Sequence, residues 1–162
     1  RKFKLNFTSI RVSDYNQANN DSLVRRFNSI RPVQSRGDVN SLYKNYKIPK
    51  NSIVLTVSNR ACPYCINYSI EYFLLNLPQM EKDGVFLVVS ERSATQELKS
   101  TVSSNIIIDK KNVLEDILNQ SVDNPALMLW DGEKVRTTMV LPPKDVKLID
   151  KYLEVFKKEV VK

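Results

Sequence analysis

The sequence predicts an α/β fold, a mixed central β-sheet flanked by helices, and three observations carry the prediction. Downstream of Ile53 the apolar pattern alternates between strand and helix periods, as it does in α/β sheets. The strand runs Ile53–Val57, Val85–Val89 and Ala126–Trp130 are apolar almost throughout, as strands covered on both faces are. The chain has 162 residues. A chain of that order forms one domain and hides roughly 70% of the surface its unfolded form exposes, so its core needs neither disulfide nor metal.

Taken in order, residues 1–52 are rich in Asn and Ser. Phe3, Leu5 and Phe7 alternate as in an edge strand, and Asp21–Ile30 reads as a helix. Residues 1–40 are therefore expected to be an N-terminal extension, and 41–162 the globular unit. Ile53–Val57 is a buried strand, followed by a loop through Asn59 and Arg60 into Cys62-Pro63-Tyr64-Cys65. Pro63 suits the first turn of a helix, and Ile66, Ile70, Phe73, Leu74 and Leu77 recur at helical spacing. A helix is expected to about Asn76, with Pro78 as its stop. Gly84 turns the chain into Val85–Val89. A polar helix over Ala94–Thr101, a third strand at Ile106–Ile108 and a short helix over Val113–Leu118 come next. Pro125 precedes Ala126–Trp130, and Asp131-Gly132 signals a hairpin into a return strand over Val135–Met139. Pro142 and Pro143 break the chain before a last helix, whose core face is Val146, Ile149, Leu153 and Phe156.

Lys and Arg number 25 against 18 Asp and Glu, a net charge of +7, which suits an acidic partner, an anionic membrane surface or nucleic acid. The cations are scattered, and over Arg1–Lys50 they interleave with Asn and Ser rather than with stacking aromatics, so no nucleic-acid partner is expected. No apolar run approaches the roughly 20 residues of a membrane span. The absence of histidine excludes a His base, a His-ligated metal and a Ser-His-Asp triad. Arg1 rather than Met opens the sequence, which leads us to expect a removed signal or anchor segment, or an arbitrary boundary, upstream.

Cys62 and Cys65 are the only cysteines, and a Cys-x-x-Cys is half a zinc site, a local structural disulfide or a redox pair. Zinc needs four ligands and this pair offers two, so no metal is expected. A disulfide closing so short a loop gives little entropic stabilisation. Position favours the redox reading. The pair falls where a strand turns into a helix, and there the free N–H groups and the positive dipole end stabilise a thiolate. Cys62 is the candidate nucleophile, and Cys65, one turn on, is placed to attack a mixed disulfide at Cys62. Arg60 adds positive charge that lowers the thiol pKa, or is a solvated loop residue.

Residues Ser52–Cys65 resemble the first strand and active-site loop of the thioredoxin superfamily, and Ser121–Val135 resemble the same family's cis-proline loop and the hairpin after it. With the last helix in place, the resemblance covers about residues 40–160. It implies a thioredoxin-like fold with an N-terminal extension and an extra strand–helix insertion between Val89 and Pro125. It also implies a cis peptide bond at Pro125, with Asn124 offering its backbone to a substrate chain, and a role for Pro63 and Tyr64 in shaping the face around Cys62. Pro63-Tyr64 is the glutaredoxin dipeptide, yet the Gly-Gly pair of glutaredoxins is missing. The insertion and the ordered approach through Ser41-Leu42-Tyr43 look more like the TlpA-like or redoxin-type branch. Members of that branch are usually bacterial, periplasmic or otherwise extracytoplasmic, and often tethered to the membrane by a segment that would lie outside this chain.

Three family features are replaced. Ala61 stands where a Trp is common, Thr56 where many thioredoxins bury an acid, and Tyr68 where TlpA-like members often carry one. Peroxiredoxin chemistry would need a Thr close before the reacting cysteine, and copper delivery of the redoxin type would need a His. The expected function is thiol–disulfide exchange with protein thiols and disulfides, without a cofactor, coupled to an upstream thiol reductant or oxidant. The alternatives are a thioredoxin-like adaptor that binds without turnover and a glutathione-dependent reductase.

Overall fold

The computed structural model describes residues 39–110, 114 and 124–161. Its elements are α1 (Val39–Asn45), β1 (Ser52–Val57), α2 (Pro63–Leu75), α3 (Leu77–Lys82), β2 (Val85–Ser90), α4 (Gln96–Ser100), β3 (Ile106–Asp109), β4 (Ala126–Trp130), β5 (Val135–Val140) and α5 (Ile149–Val161). Short 3₁₀ turns at Glu91–Ser93 and Val146–Leu148 lead into α4 and α5. The edge strand expected near Phe3 and the helix expected over Asp21–Ile30 lie outside the described residues. So does the helix expected over Val113–Leu118, apart from the buried Leu114.

The five strands pair in the order β3-β2-β1-β4-β5. β1, β2 and β3 run parallel, with Leu55 opposite Leu87 and Val88 opposite Ile107. β4 is antiparallel to β1, with Leu55 opposite Leu127, and β5 is antiparallel to β4. This is a mixed five-stranded α/β sheet flanked by helices, as the sequence predicts. Among the described residues no helix is long and apolar enough to cross a membrane.

Strand alternation divides the core into two layers. Ile53, Leu55 and Val57 join Ile70 and Phe73 of α2 and Ile149, Leu153 and Phe156 of α5 on one face. Val54, Val88, Met128 and Trp130 join Leu42 and Tyr43 of α1 on the other. The second layer is pinned by polar bonds as well as by burial. Trp130 Nε1 donates to the Ile48 carbonyl at 3.0 Å, and Asn40 Oδ1 accepts from Val135 N–H at 2.8 Å. The Tyr43 and Trp130 rings meet edge to face, their centroids 5.5 Å apart.

Two expectations need adjusting. Pro78 does not stop the helical path. α2 ends at Leu75 with Asn76 as its C-cap, and Pro78 sits in the first turn of α3, where its missing N–H has no intrahelical partner to lose. The polar helix is shorter than expected. Thr95 caps it by accepting from Leu98 N–H at 3.2 Å, which fixes its start at Gln96. The Asp131-Gly132 hairpin falls where expected, and Asp131 Oδ1 shapes its loop by accepting from both Glu133 and Lys134 N–H at 2.7 Å.

Candidate functional site

The chain leaves β1 through Ser58, whose hydroxyl accepts from Arg60 N–H at 3.1 Å, and reaches Cys62 at the N-cap of α2. An N-cap residue has extended backbone and turns its side chain onto the free N–H groups of the first turn. Cys62 has φ −62° and ψ 143°, and its Sγ accepts from Cys65 N–H at 3.1 Å. Pro63 takes the next position, where a missing N–H is harmless. A thiolate at Cys62 would thus gain a backbone donor and the positive end of a helix of 13 residues.

Cys62 and Cys65 are joined as a disulfide, with their Cα atoms 5.2 Å apart. Their surroundings are unequal. Cys65 is 0% exposed and packs with Ala61 and Val146, whereas Cys62 lies half-buried at the edge of that cluster. Attack from outside cannot reach the sulfur of Cys65, and Cys62 is the more exposed residue of the two. One turn below, Ser69 Oγ donates to the Cys65 carbonyl at 2.7 Å.

The surface beside the pair is aromatic and cationic. Tyr64 is 49% exposed, its ring 6.0 Å from that of Tyr68, and Lys147 Nζ lies 6.0 Å from the Tyr64 ring centroid. Pro63 is exposed next to it, and Arg60 is exposed on the loop before Cys62. On the facing strand Ala126 pairs with Thr56, so Pro125, one residue earlier, enters the sheet at the end where β1 gives way to the cysteine loop. Pro125 is buried and Asn124 partly so.

No cis peptide bond occurs among the described residues, so the Asn124–Pro125 bond is trans, which corrects the cis expectation. Trans is the intrinsically favoured isomer, and here it leaves the Pro125 carbonyl accepting from Leu141 N–H at 2.7 Å, an extension of the β4–β5 ladder.

The position six residues before Cys62 is also different in kind. Thr56 Oγ1 lies 2.6 Å from the Tyr43 hydroxyl, in the layer away from α2. Burial holds the Tyr43 phenol far above its usual pKa, against the opposing hydrogen bond with Thr56, so this pair stays neutral and takes no proton from a thiol. Sequence reasoning did not foresee the lid that Val146 places on Cys65 or the cation that Lys147 places over Tyr64. Both come from the turn before α5, some eighty residues downstream, and local spacing carries no signal of that contact. The Tyr64–Tyr68 pair was open to inference from its i,i+4 spacing. Among the described residues no group of three His, Cys, Asp or Glu side chains could hold a metal ion.

No family model and no curated protein matches the sequence. Among solved structures, a candidate thioredoxin from Neisseria meningitidis is similar at 14% identity and a TM-score of 0.45, over 78% of this chain and 89% of that one. A candidate thiol:disulfide interchange protein, DsbE, from Chlorobium tepidum is similar at 17% identity and a TM-score of 0.39, over 66% of this chain and 82% of the other.

Proposed function

We propose that the chain is a thiol–disulfide oxidoreductase acting on protein disulfides, with residues 41–162 as its working unit. The observation that carries this reading is the asymmetric disulfide across the first turn of α2, with a half-buried Cys62 at the N-cap and a fully buried Cys65 behind it.

In the reducing direction the Cys62 thiolate attacks one sulfur of the partner disulfide, and the other partner sulfur leaves as a thiolate that takes up a proton. A mixed disulfide results. Cys65, once deprotonated, then attacks the Cys62 sulfur, expels the second partner sulfur as a thiolate that takes up a proton, and leaves the Cys62–Cys65 disulfide. Two electrons have passed to the partner, and an upstream thiol restores the dithiol. Run backwards, the same steps oxidise a partner dithiol. Arg60 supports the thiolate of Cys62, Pro63 and Tyr64 form the contact face, and Asn124 with Pro125 meets the partner backbone. A periplasmic or other extracytoplasmic setting suits a pair that exchanges with protein disulfides.

Ser replaces Cys at position 62 without losing an N-cap acceptor, so Cys62→Ser should fold and yet reduce no disulfide, as read by the release of peptide thiols. Cys65→Ser should accumulate a mixed disulfide with the partner, visible as a mass adduct. Full turnover by Cys62→Ser would overturn the reading. Equilibration against thiol buffers would then fix the direction, since members of this fold span about −270 to −120 mV.

A further inference from the structure

The sulfur of Cys65 is enclosed from two directions. Ala61 of the cysteine loop, with Ile66 and Tyr68 of α2, gathers around it from its own segment of chain. Val146 closes in from the turn before α5, fully buried and part of the same cluster, while Cys62 meets that cluster only from its edge. The turn holds Val146 firmly. Its N–H and that of Asp145 both donate to the Pro142 carbonyl, at 3.1 Å and 2.8 Å, and the 3₁₀ turn that it opens leads straight into α5, anchored in the core by Ile149 and Leu153. A side chain branched at Cβ is also stiff at χ1, so Val146 makes a cover that does not swing aside.

Access is what separates two cysteines so placed. Both belong to the first turn of α2, Cys62 as its N-cap and Cys65 within the turn, so the positive end of the helix favours a thiolate at either. Thiol–disulfide exchange depends on reach as well as on thiolate character, and a cysteine buried among apolar groups is inert. With the redox reading above as its basis, we propose that Val146 is a specificity-determining residue of the site: its side chain withholds the Cys65 sulfur from partners and makes Cys62 the single point of entry. A partner thiolate that attacks the Cys62–Cys65 disulfide then forms its new S–S bond to Cys62 and expels the Cys65 sulfur as a thiolate, which takes up a proton. The fold thereby gives the two sulfurs different work. Cys62 exchanges with partners, and Cys65 reacts only with Cys62.

The test leaves each cysteine alone in the full chain and follows its reaction with dithiodipyridine. The protein thiolate attacks one sulfur of the reagent, joins it as a mixed disulfide and releases thiopyridone, which is read by its absorbance. Cys62 in Cys65→Ser should react about tenfold faster than Cys65 in Cys62→Ser. Adding Val146→Ala to Cys62→Ser should speed Cys65 about tenfold, whereas Val146→Ile, which keeps the cover, should leave it slow. Ile149→Val in the same background trims α5 within the main core and should also leave it slow. Should Val146→Ala not fold, Val146→Thr keeps nearly the same volume, sets a hydroxyl in the cover and should speed Cys65 in the same direction. An unchanged Cys65 rate in the folded Val146 variant, or an equal rise from Ile149→Val, would overturn the role of Val146 alone. Cys62 no faster than Cys65 in the two single-cysteine chains would overturn the redox reading, and this inference with it.

Discussion

The Tyr43 hydroxyl lies 2.6 Å from Thr56 Oγ1 and 3.0 Å from Met128 Sδ, in a fully buried position between α1 and the sheet. Removing that oxygen leaves the Thr56 hydroxyl without its main partner in a dry core, so Tyr43→Phe should lower unfolding stability by about 1–2 kcal/mol in urea titration. The redox potential of the cysteine pair should not move, because both hydroxyls face the layer away from α2. A shifted potential would show that the position six residues before Cys62 still communicates with it. Cys62, Pro63 and Cys65 were legible as single residues, since N-cap position, proline tolerance and local spacing are all written in neighbouring letters. The burial of Cys65 by Val146 was not, because Val146 comes from a turn some eighty residues downstream.

The β4–β5 hairpin shows what an element demands of its turn. Gly132 has φ +97°, and a Cβ there would lie 2.8 Å from Lys50 Cβ, so both backbone conformation and space call for glycine. Gly132→Ala should cost about 1–3 kcal/mol and lower the thermal midpoint, while disulfide reduction by the folded protein stays intact because the turn is at the far end of the sheet. Loss of exchange activity in folded Gly132→Ala protein would contradict that separation. The Asp131-Gly132 signal did locate this turn, and the apolar runs located each of β1, β2, β3 and β4 to within a residue or two. Helix limits were harder to read. The joint between α2 and α3 turns on Pro78, and a proline that stops one helix is the same letter as a proline that opens the next.

Across the whole molecule, the ties at the end away from Cys62 make stability depend on acid. Burial raises both Asp83 and Asp131, but it is outweighed at Asp83 by hydrogen bonds from Lys157 and Gln79, and at Asp131 by the N–H groups of Lys134 and Glu133 and by Arg136, so both carboxyls titrate below the usual 3.8. A carboxylate with a depressed folded pKa binds its proton more readily when the chain is unfolded. It therefore contributes stability that is complete well above the unfolded value and is lost as pH falls through the folded one. Thermal midpoints should hold near neutrality and drop once the pH passes below 3.8. In Asp83→Asn, Asp131→Asn protein the neutral-pH midpoint should be lower and the acid decline shallower, and parallel declines in the two proteins would show that these carboxylates do not carry the effect. Cys62 and Cys65, as a disulfide, bind no protons in this range, so the oxidised chain should lose stability in acid without losing its redox bond. Asp83 and Asp131, the carboxylates that carry this acid dependence, thus both lie at the end of the sheet away from the cysteine pair.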